Sequence, residues 1–231
     1  MRPRFIAGLL GCVLLATAVQ AQEKSEVRVR LAAPSPHISH LIPTVIWLEP
    51  LAGVTVPAFV PRDHYTLLQK NRTFLPHLLV IPVGSVVQFP NADPFFHNVF
   101  SLFDGKRFDL GLYEAGSTKA VTFSREGVSY IFCNIHPEMS AVVLTLSTPI
   151  FAVGDSGTAF VLHEVPTGDY RLHVWVEGVT QTNLNSLVRM VHVGARAVDL
   201  GEVQLPSTHA GPPPHTDEYG HAYHPSAKNA Y

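Results

Sequence analysis

Four side chains in this sequence have the types and the order needed to hold one transition-metal ion. Three lie in Tyr130-Ile131-Phe132-Cys133-Asn134-Ile135-His136-Pro137-Glu138-Met139, where a thiol, an imidazole and a thioether follow one another at short intervals. All three are soft or borderline donors, and that combination suits copper. A loop that leaves a strand at Cys133 can curl around one ion, and Pro137 keeps the strand from continuing. The fourth candidate is His97, in Asn91-Ala92-Asp93-Pro94-Phe95-Phe96-His97-Asn98-Val99-Phe100, after a strand-like run and a turn-forming Asn-Asp-Pro cluster. It precedes Cys133 by 36 residues, room for several strands to carry the chain back to one end of a sandwich. Two imidazoles and a thiolate around copper, with Met139 as a weak axial ligand, make a trigonal electron-transfer site.

Cysteine usage points the same way. The N-terminus reads as an export signal: Arg2 and Arg4, an uncharged and mostly apolar run from Phe5 to Val19, then small residues at Ala18-Val19-Gln20-Ala21 for cleavage. That run is short for a membrane span, and no later stretch is long enough for one either. Leu9-Leu10-Gly11-Cys12 is a poor lipidation site, because the apolar run continues past Cys12. The sequence has two cysteines, and Cys12 leaves with the signal. Cys133 then has no partner in its own chain, although the periplasm or the cell exterior is oxidising. It must bridge between chains, react, or be occupied by a ligand such as a metal.

The elements that would position these residues are strands. The sequence is 46% hydrophobic and 15% charged, which suits a packed core. Val27 to Leu31 alternates with period two, and Thr44 to Leu48 is β-branched and aromatic. Strand-like runs recur at 78–81, 86–89, 98–103, 120–123, 128–132, 141–146, 159–162, 170–176, 187–193 and 198–205. Turn signals such as Asp104-Gly105, Glu126-Gly127, Asp155-Ser156-Gly157 and Thr167-Gly168-Asp169 separate many of them. No long amphipathic helix stands out, so the pattern predicts an all-β sandwich or barrel. Cleavage takes the basic count from 16 to 14 against 18 acidic residues, a net of −4, which argues against general nucleic-acid binding.

Residues 74–147 resemble the cupredoxins, the small blue copper proteins, through the Cys133, His136 and Met139 loop and the His97-Asn98 pair. The loop has the amicyanin-type spacing within that family. The resemblance implies a Greek-key β-sandwich or barrel with one type 1 copper ion. It implies that Asn98 ties the two ligand loops together by hydrogen bonding and that His136 exposes its ring edge as the electron port. A redox donor and acceptor of the cytochrome or dehydrogenase class would be the partners. Glu138 departs from the pattern, since that loop position is apolar in amicyanin, so no docking partner is carried over. The flanks, Thr148 to Phe160 and Val165 to Leu172, resemble the later strands of a carboxypeptidase regulatory-like domain, a small β-sandwich without catalytic residues. Val27 to Leu31 and Thr44 to Leu51 would supply its first strands.

The expected organisation is therefore a signal peptide at 1–21 and the first strands of the flanking sandwich at 22–56. The copper unit at 57–147, the remaining flanking strands at 148–205 and a Pro- and His-containing tail at 206–231 complete it. The expected function is single-electron transfer by Cu(I)/Cu(II) cycling, without enzymatic turnover. A periplasmic copper carrier, store or assembly protein is the alternative, and a metal-free structural β-protein is a third class. His37, His40 and His77 lack metal-spaced neighbours and read as surface or hydrogen-bonded residues. His163, His173 and His192 read as structural, and Trp47 and Trp175 as core. The tail histidines His209, His215, His221 and His224 read as solvated. Asp63, Glu114 and Glu138 form no paired-carboxylate arrangement, and no Ser-His-Asp motif or separate three-histidine copper site is present in the sequence.

Overall fold

The computed structural model of the chain describes residues 22–32, 42–102, 105–206, 216–217 and 219–222. The export signal, His37, His40, Asp104 and most of the tail, with His209, His215 and His224, lie outside the described residues. Among the described residues the chain is all-β apart from one six-residue helix.

Strands β1 (Lys24–Ala32) and β2 (Pro43–Pro50) open the chain. The short β3 (Tyr65–Thr66), β4 (Leu68–Lys70) and β5 (Thr73–Leu75) follow. Next come β6 (Leu78–Pro82), β7 (Ser85–Pro90), β8 (His97–Ser101) and β9 (Phe108–Tyr113). Strands β10 (Thr118–Phe123), β11 (Gly127–Phe132) and β12 (Ser140–Leu146) complete the middle of the chain. Then β13 (Phe151–Asp155), β14 (Ala159–Pro166), β15 (Gly168–Val176), α1 (Gln181–Ser186), β16 (Arg189–Val193) and β17 (Val198–Gln204) end it. A five-stranded sheet runs β6-β12-β11-β8-β9 and a three-stranded sheet β10-β7-β3, while β4 and β5 form a hairpin. Strands from the two ends of the chain interleave in the remaining sheets, β13-β2-β15-β16 and β14-β1-β17. Thus β1 and β2 pair with strands that come more than a hundred residues later, and β3 to β12 pair among themselves.

The five-stranded sheet is apolar on both faces. Along β11, β12 and β8, the buried residues Ile131, Cys133, Ala141, Val143 and Val99 belong to one core with Phe89 and Phe123. The alternate residues Tyr130, Phe132, Val142, Leu144 and Phe100 belong to a second core with Trp175, Val174, Ile46 and Leu48 of the flanking strands. Strands buried on both faces read as continuous apolar runs, and Ala141-Val142-Val143-Leu144 is such a run. Trp175 is fully buried there, whereas Trp47 is half-buried and stacked on His173 with ring centroids 5.0 Å apart. The helix α1 was not signalled by the sequence because six residues are too few to set up a 3.6-residue pattern. It is capped by Thr180, whose side chain accepts from the Asn183 amide, and it buries Leu184.

His77, ahead of β6, links the two sets of strands. Its Nε2 lies 2.9 and 3.0 Å from the carboxylate oxygens of Glu177, a buried residue just past β15. Its Nδ1 lies 3.2 Å from the Ser140 carbonyl. Both ring nitrogens face acceptors only, so both bonds require the imidazolium. The hydrogen bond that His77 donates to Glu177 raises the His77 pKa above its ordinary value, against the opposing effect of burial. A raised folded-state pKa gives stability that is complete below about pH 6.5, the unfolded value, and lost as pH rises through the folded value. Because His77 is 40% exposed, the loss is expected near 1 kcal/mol. Melting temperatures of the native chain and Glu177→Gln, followed from pH 6 to pH 9, check this: the native chain should lose stability that the variant never had. Parallel curves would remove the pair from the stability account.

Candidate metal centre

The local geometry follows from strand register. Phe132 at the end of β11 pairs with Phe100 of β8 and with Ser140 of β12. The chain between Phe132 and Ser140 must therefore loop out beside the start of β8, where His97 and Asn98 stand. That loop closes on itself: the Cys133 amide donates to the Met139 carbonyl at 3.2 Å, and the Met139 amide donates to the His136 carbonyl at 2.9 Å.

Three ligand atoms converge inside this arrangement. The Cys133 Sγ lies 3.7 Å from His97 Nδ1 and 3.6 Å from His136 Nδ1. All three atoms lie within 4.8 Å of one another, and the group can hold a metal ion. A sulfur and a nitrogen that share one ion at bond lengths of about 2.3 and 2.0 Å stand roughly 3.5–3.8 Å apart. The donor set therefore fits a shared ion without rearrangement. His97 and Cys133 are 0% exposed and His136 is 9% exposed, so His136 is the member of the group nearest solvent. Met139 is buried in the same core as Cys133.

The electrostatics suit ligation. Burial above all, helped by the Arg72 charge, pushes the His136 pKa down to about 4 against an opposing pull from Asp93, which leaves the imidazole neutral and able to coordinate near pH 7. Burial raises the Cys133 pKa, and the main-chain amides of Asn98, Ile135 and His136 oppose it. A coordinated cation would overcome that penalty and hold the thiolate.

Neighbouring residues orient the group. Asn98 Oδ1 accepts from the Asn134 amide at 3.3 Å, and its Nδ2 donates to Asp109 Oδ1 at 2.7 Å. Asp109 also accepts from the Gly111 amide at 2.7 Å. Phe95 packs against both imidazoles, with ring centroids 5.2 Å from His97 and 5.7 Å from His136, and the Arg72 guanidinium lies over the Phe95 ring at 5.3 Å. Asp93 Oδ2 lies 2.8 Å from His97 Nε2. Sequence reasoning missed Asp93, Asp109, Phe95 and Arg72. The spacing of Asp93, four residues before His97, was the one signal on offer.

The other histidines sit elsewhere. His163 bonds Glu26 at 2.9 Å, His173 bonds Glu49 at 2.8 Å and His192 bonds Asp169 at 2.7 Å. His163 and His192 lie exposed at the surface, each bonded to a carboxylate of the neighbouring strand. His221 in the tail is exposed, and its amide donates to Asp217. Among the described residues no helix is long and apolar enough to cross a membrane.

No protein-family model matches the sequence, and no curated protein matches it. Partial matches occur among solved structures. A purple cupredoxin from Nitrosopumilus maritimus is 26% identical over 36% of this chain and 99% of its own, with a TM-score of 0.32. A copper-containing nitrite reductase from Thermus scotoductus is 25% identical over 42% of this chain and 25% of its own, with a TM-score of 0.34. A reduced amicyanin variant is 20% identical over 40% of this chain and 97% of its own, also with a TM-score of 0.34.

Proposed function

We propose that the chain is an exported type 1 copper protein that carries single electrons, with His97, Cys133, His136 and Met139 as ligands and Asn98 tying their loops. One observation carries the reading: a buried cysteine sulfur stands 3.6 and 3.7 Å from the Nδ1 atoms of two histidines. Bound copper would supply the one-electron couple. The chain's own residues hold the site dry, keep its donors in place for either oxidation state, and bring His136 closest to solvent for outer-sphere exchange. The strand pairings support a division in which residues 57–147 carry the site, and 22–56 with 148–205 form a second sandwich without one.

Copper-loaded full-length chain tests this. It should absorb intensely in the visible, bleach reversibly with ascorbate, and exchange electrons quickly with a small cytochrome. Ready transfer of Cu(I) to a chelator, with no electron exchange, would favour a carrier or store. A colourless copper-loaded protein would end the proposal.

A further inference from the structure

The geometry points to Asp93 as a positioning residue that fixes which nitrogen of His97 faces the metal and biases the site toward the higher oxidation state. This rests on the copper reading above. His97 is fully buried, so its two ring nitrogens have only protein partners to choose from. Nδ1 faces the Cys133 sulfur and Nε2 faces Asp93 Oδ2 at 2.8 Å. Asp93 is itself 4% exposed. Its Oδ1 accepts from the Asn71 amide at 2.6 Å, and its Oδ2 also accepts from the Arg72 amide at 3.0 Å. A carboxyl group whose two oxygens each accept a main-chain N–H is held as an ionised acceptor. The Nε2 of His97 faces that acceptor and carries its proton there, which leaves Nδ1 as the nitrogen that would offer a lone pair to a metal beside the Cys133 sulfur.

The carboxylate is held by a device of its own. Asn71 and Arg72 form the two-residue turn between β4 and β5, and both have left-handed backbones, with φ of 56° and 57°. Two successive residues in that conformation aim their amides at one point, and here the point is Asp93. Arg72 pays steric strain to adopt it, and its guanidinium then lies over Phe95, the ring wedged against both histidines. The hairpin, the carboxylate and the ligand thus form one connected support.

A buried negative charge bonded to a ligating imidazole makes that imidazole a stronger donor. It favours the ion of higher charge, so Cu(II) gains more affinity than Cu(I). A tenfold change in that affinity ratio corresponds to about 59 mV in a one-electron couple.

The test uses full-length chain and two substitutions. Asp93→Asn keeps an oxygen acceptor for His97 and removes the charge. It should raise the midpoint potential of the copper-loaded protein by about 60 mV or more, a tenfold or larger shift. Asp93→Ala removes the acceptor and should weaken zinc binding by about 10–100-fold. In metal-free Asp93→Ala, nitrogen NMR should show the His97 proton shared between Nδ1 and Nε2, where the native chain keeps it on Nε2. A purely structural role would lower the melting temperature yet leave the Asp93→Asn potential and the tautomer unchanged, and that result overturns the inference. If the native chain gives no copper–thiolate absorption, the copper reading fails separately. The zinc affinity and the metal-free tautomer then still decide the role of Asp93.

Discussion

Replacing Cys133 with serine is expected to abolish the visible absorption of the copper-loaded chain. It should also lower copper affinity by well over the ~10–100-fold that loss of a supporting residue costs. The reason is specific to sulfur. A serine hydroxyl is a hard, protonated donor near neutral pH, and it offers neither the charge nor the covalency of a thiolate. The fold should tolerate the change. The position is enclosed, but the main-chain amides of Asn98, Ile135 and His136 that face the sulfur can bond to an oxygen instead. Competition against a chelator of known affinity, beside a melting curve, separates the two effects. Retained colour, or unchanged affinity, would place the metal somewhere other than between His97 and His136.

The second large effect concerns packing. Phe132→Ala should destabilise the chain by about 3–5 kcal/mol, because Phe132 is 1% exposed and its removal leaves a ring-sized void. For a domain of this size that corresponds to a fall in melting temperature of roughly 6–20 °C. The informative part is what melts. Phe132 packs beside Phe100 at a centroid separation of 5.9 Å, in the core that includes Trp175, Leu172 and Val174 of the flanking strands. Its immediate neighbour Cys133 belongs to the other core. Both sets of sheets should therefore unfold in one transition, with loss of copper colour coinciding with loss of tryptophan signal. Two separate transitions would show that the flanking strands fold on their own.

Much of this architecture was legible because the signals are local. The run Tyr130 to Met139 places thiol, imidazole and thioether on one loop, and the structure brings the first two together with His97. Strand runs such as 128–132 and 141–146 alternate or stay apolar as buried strands must, and they appear as β11 and β12. The supporting residues were harder to see for physical reasons. An aspartate before a proline reads as a turn former, and nothing in the sequence says that the amides of a hairpin more than twenty residues earlier converge on it. That hairpin lacks the Asn-Gly signature, since Arg72 stands where glycine is usual. The strand β9 carries no clean alternation in the sequence, because its register shifts around Gly111, with φ of 63°, and Asp109 turns toward Asn98. His77 and Glu177 are 100 residues apart, a pairing that no local pattern encodes.

A lone thiol is a hazard wherever oxidants circulate, since it can cross-link chains or climb irreversibly to sulfinic and sulfonic acids. Only the deprotonated, accessible form enters that chemistry. In this chain the sulfur is sealed from water, and burial favours its protonated form. In the folded chain a thiol so placed is a poor target for oxidants even before any ion is bound beside it.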